Sequence, residues 1–251
     1  MKRLVPLLAA ATLVAATPAR AAALPGRLFG PYGVGAAQVW ILRPAGSIRR
    51  VVVFAHGWKT APPSPVGGWV AQFRPWLDHL AAGGNAVVFP RYQRGADDSY
   101  DVGRVRAFEA GLRAGLDRLG RPRVPVVAVG YSFGASLVLA YGAEAATWGL
   151  PRPAAIDAVF PAGPIAGAAL PPLDRRVLVL IQVGNEDAEA GFGGARAFWS
   201  WLAKHPADRK AFQIVRSSGG FRADHAAPKL TTPAAQRAFW APLDRLIRAS
   251  S

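Results

Sequence analysis

The residues whose types and spacing most clearly indicate catalytic chemistry are Gly130, Ser132 and Gly134, which form a Gly-x-Ser-x-Gly pattern. They directly follow the apolar run 124–129 and directly precede a stretch of small residues. A serine on a sharp turn from strand to helix exposes its hydroxyl, and a side chain at either flanking position would strike the neighbouring backbone. The helix start behind the serine also favours developing negative charge. The pattern therefore predicts Ser132 as a nucleophile.

A serine hydroxyl is a weak nucleophile and needs a base, and the chain contains four histidines. His225 lies in a loop after the last predicted strand, and we expect it to be the base. His79 is interpreted as a solvated helix residue, and His205 as a charge that complements a helix end. His56 precedes Ser132 and is interpreted as a buried residue that orders its loop, with a direct functional role left open.

The acid that orients the base is expected after a strand, between the serine and the histidine in sequence. The loop that follows the predicted strand 177–183 supplies Glu186 and Asp187. Asp224 is less favoured, because residues adjacent in sequence seldom aim their side chains at one another.

The segment 56–58 closes another predicted strand, 51–55, at the edge of the sheet where Ser132 is expected. Here the backbone N–H of Trp58 can pair with that of Phe133. Two such donors form an oxyanion hole, which stabilises the negative charge of a tetrahedral intermediate.

Short β-branched runs alternate with amphipathic stretches along the chain, which is typical of a parallel sheet covered by helices. Further strands are predicted at 39–42, 86–89, 155–160 and 211–215. Helices are predicted at 69–80, at 101–119 with Ser99 as the cap, after Phe133 through Ala146, around 195–202, and from Thr232 onward, with a kink or a split at Pro242.

These motifs, in this order, resemble the α/β-hydrolases: the His-Gly turn at 56–57, the GYSFG elbow at 130–134, the acid after a strand, and the histidine of a DHxxP-type segment. The resemblance covers about residues 32–247. It extends more loosely to small secreted serine esterases and the dienelactone-hydrolase-like group. The family's spacing of glycine, two residues and an acid favours Asp187 over Glu186.

The resemblance implies one catalytic domain over 22–251, with a mostly parallel central sheet and helices on both faces. It implies a Ser-His-Asp triad, an acyl-enzyme intermediate, small or polymeric ester substrates, and neither a cofactor nor a metal. The segment 161–176 is too short for a cap domain and contains four prolines, so a site without a lid is expected. Thioesterases, peptidases, acyltransferases and non-catalytic binding scaffolds share such features and stay open.

The composition limits the other classes of function. The chain has 251 residues, 51% of them hydrophobic, a formal charge of +15 and no cysteine. The absence of cysteine excludes disulfide scaffolds and thiol catalysis. Its arginines are scattered along the chain rather than grouped in runs, so we expect no nucleic-acid partner. The positive charge is compatible with weak association with anionic envelope material. The acidic residues Asp97, Asp98 and Asp101 lack a calcium-loop spacing and are interpreted as caps and turn residues.

The first 21 residues have the order of a secretory signal peptide. Lys2 and Arg3 precede a largely apolar stretch, 4–16, which is followed by a small-residue cleavage pattern at 19–21. The stretch is shorter than the ~20 residues that span a bilayer, and Pro6 interrupts it. We therefore expect export to the periplasm or the exterior, with the formal charge lowered to +12 by cleavage after Ala21.

Overall fold

A single eight-stranded sheet organises the computed structural model, which describes residues 26–59, 68–95 and 98–250. The predicted signal peptide and Asp97 lie outside the described residues. The strands are β1 (Arg27–Tyr32), β2 (Val39–Arg43), β3 (Arg50–Ala55), β4 (Asn85–Pro90), β5 (Val126–Tyr131), β6 (Ala155–Val159), β7 (Leu178–Gly184) and β8 (Lys210–Val215). Their spatial order is β1-β2-β4-β3-β5-β6-β7-β8.

The sheet is parallel from β4 through β8, and β2 joins β4 antiparallel at one side. The central strands β3 to β6 are almost entirely buried, as expected of apolar runs covered on both faces. The edge strand β1, antiparallel to β2, was not among the predicted strands.

Helices cover both faces of the sheet. They are α1 (Gly68–Ala71), α2 (Arg74–Ala82), α3 (Val102–Arg118), α4 (Phe133–Glu144), α5 (Gly193–Trp201), α6 (Pro233–Ala235) and α7 (Ala241–Ala249). Short 3-10 turns occupy Gly35–Ala37, Leu202–Lys204, Ala207–Arg209 and Ala227–Lys229. Helices α3, α4 and α5 share one hydrophobic core, and α2 and α7 share the other. The predicted α/β class, with helices on both faces, is confirmed.

Several predicted helix details were wrong. Asp101, not Ser99, caps α3, and its Oδ1 accepts a hydrogen bond of 2.8 Å from the N–H of Gly103. The predicted helix 69–80 is divided into α1 and α2 by a turn at 72–73. Near Pro242, where a kink or a split was predicted, a π-helical turn, Gln236–Trp240, lies directly before α7. Proline cannot donate to the helical ladder, and the hydrogen-bond pattern changes on its N-terminal side.

Two further histidines connect elements of the fold. The His79 side chain is 39% exposed on α2, and its Nε2 lies 2.9 Å from an Asp244 carboxylate oxygen on α7. His205 is buried, with its Nε2 2.9 Å from the Val177 carbonyl oxygen. His205 ends the turn Leu202–Lys204, as predicted for a helix end, but its ring is buried rather than solvated.

The segment 161–176, between β6 and β7, contains no helix. Within the described ranges, no helix is long and apolar enough to cross a membrane.

A buried carboxyl group lies in the middle of the sheet. Asp157 on β6 is fully buried, and Nε2 of the equally buried Gln182 donates to its two carboxyl oxygens at 2.9 and 3.1 Å. Burial raises the pKa of Asp157 to about 7, although the Gln182 hydrogen bond acts in the opposite direction.

Asp157 is therefore expected to make stability depend on pH. Its folded pKa is about 7, whereas an unfolded aspartate titrates near ~4. The contribution of this group to the free energy of unfolding is full below pH ~4 and is lost as the pH rises to ~7. Asp157→Asn should unfold with a smaller decrease in stability between pH 5 and pH 8 than wild type, as measured by urea denaturation. The exposed Asp208→Asn is the control, and equal decreases in Asp157→Asn and wild type would contradict the expectation.

Candidate active site

Ser132 lies at the junction between β5 and α4, at the carboxyl edge of the parallel strands. Its backbone has φ 57° and ψ −122°, a strained conformation for a residue other than glycine. The Ser132 N–H donates to the Val159 carbonyl at 2.9 Å, and α4 behind it is buried from Phe133 to Gly142. The turn is therefore held by the sheet on one side and by a buried helix on the other.

The flanking glycines have no room for a side chain. A Cβ on Gly130 would lie 2.1 Å from the Gly134 carbonyl oxygen, and a Cβ on Gly134 would lie 2.2 Å from that of Ala55. Both distances are far below van der Waals contact with backbone atoms that cannot move aside. The steric reason for the Gly-x-Ser-x-Gly spacing thus applies to this turn.

His225 follows β8 and reaches Ser132 across the sheet edge. Its Nε2 lies 3.0 Å from the Ser132 Oγ, and the side chain is 10% exposed. The Tyr131 hydroxyl donates to the His225 carbonyl at 2.5 Å, and the rings of Tyr131 and Phe160 flank the imidazole at 5.0 and 6.3 Å between centroids. These contacts fix the loop that carries His225.

Asp187 follows β7 and completes the chain of hydrogen bonds. Its Oδ2 lies 2.9 Å from the His225 Nδ1, and its Oδ1 accepts from the N–H groups of Glu189 and Ala190 at 2.9 and 3.0 Å. Burial acts to raise the pKa of Asp187, but the His225 and backbone hydrogen bonds outweigh it and hold the pKa below its usual value. Asp187 is therefore an ionised carboxylate at neutral pH.

The other acids near His225 face different partners. Glu186 is bound by Arg222, at 2.9 Å between carboxylate oxygen and guanidinium Nε. Asp224 accepts the N–H of Ala226. Glu189, which sequence reasoning did not single out, places a carboxylate oxygen 3.3 Å from the His225 Nε2, with its side chain 76% exposed.

Trp58 and Phe133, the residues predicted to form an oxyanion hole, lie at the same edge of the sheet as Ser132. Trp58 follows β3 at the same sheet edge, and Phe133 is the first residue of α4, directly after Ser132. In the part of the chain that the structure describes, neither backbone N–H has a hydrogen-bond acceptor. Their rings pack at 5.3 Å between centroids, and the Tyr100 ring lies 4.0 Å from that of Phe133. Tyr100 was another residue that the motifs did not reveal.

His56 is fully buried beneath this edge. Its Nε2 lies 2.7 Å from the Arg91 carbonyl oxygen, its Nδ1 lies 2.6 Å from that of Gly57, and its ring stacks on Tyr92. Burial lowers the pKa of His56 to about 3, so the ring is neutral at physiological pH. His56 thus connects the loop that carries Trp58 to the segment after β4.

A cleft of about 310 Å³ opens over Ser132 and His225. Its remaining lining residues are Gly57, Trp58, Lys59, Gln72, Tyr131, Glu189 and Lys229. A larger cavity, about 370 Å³, lies against the amino-terminal halves of β7 and β8, at the opposite end of the strands. The smaller cleft is the candidate active site, because ligands of open α/β sheets bind at the carboxyl ends of the strands.

The two lysines of the cleft were missed by motif reasoning. One signal was present in the sequence: the chain has 25 arginines but only 5 lysines, and two of the five lie next to site motifs. Lys59 directly follows Trp58, and Lys229 follows His225 by four residues.

Histidine and acidic side chains are the candidate metal ligands in the described ranges. Among residues 26–59, 68–95 and 98–250, no cluster of three histidine or acidic side chains could hold a metal ion. Asp98 forms an ion pair with Arg104 at 2.8 Å, and Asp101 caps α3.

No protein-family model and no curated protein matches the sequence. Solved structures do resemble it. Carboxyl esterase 2 from the mycorrhizal fungus Tuber melanosporum is 17% identical, with a TM-score of 0.66 over 92% of this chain and 90% of that one. Esterase B from Lactobacillus rhamnosis is 14% identical, with a TM-score of 0.65 over 90% and 85% of the two chains.

An alpha/beta hydrolase from a Medee basin deep-sea metagenome library is 14% identical, with a TM-score of 0.64 over 91% of this chain and 99% of that one. These likenesses cover 90 to 92% of the chain. The protein therefore has the α/β-hydrolase fold.

Proposed function

We propose that this protein is a serine hydrolase that cleaves carboxylic esters. The observation that carries the proposal is the continuous path from the Ser132 Oγ through His225 to Asp187, with hydrogen-bond distances of 3.0 and 2.9 Å. A nucleophile, a base and an orienting carboxylate in this arrangement meet the geometric requirements of covalent acyl transfer.

In the proposed mechanism, the Ser132 Oγ attacks the ester carbonyl carbon while the His225 Nε2 takes the hydroxyl proton. Asp187 stabilises the imidazolium that forms, and the N–H groups of Trp58 and Phe133 donate to the oxyanion. Collapse of the tetrahedral intermediate breaks the ester C–O bond, and His225 gives its proton to the departing alcohol. Water, activated by His225, then releases the acid from Ser132.

The structural relatives support this reaction class, because two of those described above are esterases. Esterase B from Lactobacillus rhamnosis has also been solved with a tributyrin phosphonate inhibitor. We further propose an open site for soluble esters, since the segment 161–176 contains no helix that could serve as a mobile lid.

Ser132→Ala is expected to fold normally and to lose on the order of 10⁶-fold in kcat, because it lacks the attacking oxygen. The substrate is p-nitrophenyl butyrate below its solubility limit, and the rate of wild type should rise hyperbolically with its concentration. A fluorophosphonate probe should label wild type and the control Ser200→Ala, which changes an exposed serine of α5. Labelling of Ser132→Ala at the wild-type rate would refute the proposal.

The acid can be assigned by a matched pair of variants. Asp187→Asn should lower kcat on the order of 10⁴-fold, because an amide in place of the carboxylate no longer holds the imidazole in the required tautomer. Glu186→Gln should have a far smaller effect, since Glu186 is bound to Arg222 at the surface. Steady-state kinetics with the same ester decide between them, and a larger effect of Glu186→Gln would move the assignment by one residue.

We also propose that the protein is exported, on the basis of the basic, apolar and small-residue order of residues 1–21. Amino-terminal sequencing of the protein from its native host should begin near Ala22. A cytoplasmic protein that retains Met1 would contradict export and leave the proposed chemistry unaffected.

A further inference from the structure

Two cationic side chains enter the catalytic cleft from separate parts of the chain. Lys59 comes from the loop after β3, and Lys229 ends the 3-10 turn Ala227–Lys229 that follows His225. Both line the same 310 Å³ cleft as Ser132. Among the described residues of that lining, Glu189 is the only acidic one.

The main chain of Lys59 is held in place by a buried side chain. The Lys59 N–H donates to the Gln93 Oε1 at 3.0 Å, and the Gln93 Nε2 donates to the Lys59 carbonyl at 2.7 Å. Gln93 is fully buried. The Lys59 ammonium donates to the Gln72 Oε1, and that of Lys229 lies 5.5 Å from the centre of the Tyr131 ring. These partners direct both ammonium groups toward the cleft.

The two cations make the cleft attractive to an anion. Burial lowers the pKa of Lys59 to about 8, and repulsion from Lys229 lowers it in the same direction. Two like charges that lie close together in a partly desolvated cleft repel each other. A negative group between them would relieve the repulsion and be attracted by both.

We propose that the cleft selects esters that carry a carboxylate, which Lys59 and Lys229 bind while the ester carbonyl lies at Ser132. The proposal deepens the proposed function and rests on it. Glu189 also helps to orient the substrate, because its carboxylate lies beside the His225 Nε2 and repels a negative group from that side of the cleft.

The direct test compares esters that differ by one charge. Mono-p-nitrophenyl glutarate and its methyl ester carry the difference on the acyl half, and 4-acetoxybenzoate and its methyl ester carry it on the alcohol half. In at least one pair, kcat/KM should favour the anionic ester by about tenfold at low salt. The preference should shrink at 0.5 M NaCl, since salt screens partly exposed charges.

Variants then connect the preference with the two lysines. Lys229→Met and Lys59→Met should each reduce the ratio of anionic to neutral kcat/KM by ~3- to 10-fold, whereas Lys229→Arg should retain most of it. Lys204→Met removes the same charge from an exposed turn outside the cleft and should leave the ratio unchanged.

The ratio should also depend on pH in a defined direction. Since the pKa of Lys59 is about 8, its charge, and with it the preference, should decline between pH 7 and pH 9 while the substrate carboxylate stays ionised. Glu189, His225 and Lys229 also face the cleft, so the pH profile of the ratio is compared with that of Lys59→Met, in which the decline assigned to Lys59 should be absent. The neutral ester, measured in the same buffer, corrects for titration of the proposed triad.

Binding gives a readout that does not require turnover. By calorimetry, Ser132→Ala should bind monomethyl glutarate more tightly than dimethyl glutarate, and Lys229→Met in the same background should remove the difference. The anionic-substrate proposal would be overturned if the two glutarate esters bound equally tightly. It would also be overturned if an active enzyme showed no preference for the anionic ester in either ester pair. Anion binding without ester hydrolysis or fluorophosphonate labelling would instead overturn the proposed function and leave the lysine site standing.

Discussion

The close passage of two backbone segments beneath Ser132 is the constraint on which the rest of the site depends. The Cα of Gly134 lies so near β3 that an added Cβ would meet the Ala55 and His56 carbonyl oxygens at 2.2 and 2.3 Å. This contact sets the start of α4 directly against the end of β3. The N–H groups of Phe133 and Trp58 thereby come to one edge, and Ser132 is held in a conformation that an isolated turn would not keep.

Buried charge is distributed unevenly at this edge, and the distribution agrees with the proposed chemistry. Two imidazoles lie there, but desolvation keeps His56 neutral, whereas His225 has an ionised carboxylate at its Nδ1. The two imidazoles thus lie in different electrostatic environments: His56 is a neutral ring that supports its loop, whereas His225 has the carboxylate partner that its proposed role as a base requires. Lys59 and Lys229 add positive charge at the cleft.

Much of this arrangement could be predicted from the sequence, because alternating apolar runs determine a parallel sheet and its loops. Ser132 and His225 could be singled out from their places after predicted strands. Glu186 and Asp187 could not be separated by residue type, since the choice depends on how the loop turns: the N–H groups of Glu189 and Ala190 bind Asp187 and direct it inward. The edge strand β1 escaped prediction because Gly30 and Pro31 interrupt its apolar pattern. The proximity of Lys59 to Lys229 is a product of tertiary structure.

The three residues of the proposed triad come from distant parts of the sequence. The hydrogen bonds of His225 to Ser132 and Asp187 connect residues 93 and 38 positions apart. Between Val215 and Ala227, the chain that carries His225 forms neither a helix nor a strand, whereas Ser132 lies at the centre of the sheet. This segment is held by contacts with other parts of the sheet edge: the Tyr131 hydroxyl donates to the His225 carbonyl, and the Glu186 N–H donates to the Ala223 carbonyl at 3.2 Å. The position of His225 relative to Ser132 is therefore determined by tertiary contacts rather than by a helix or strand of its own.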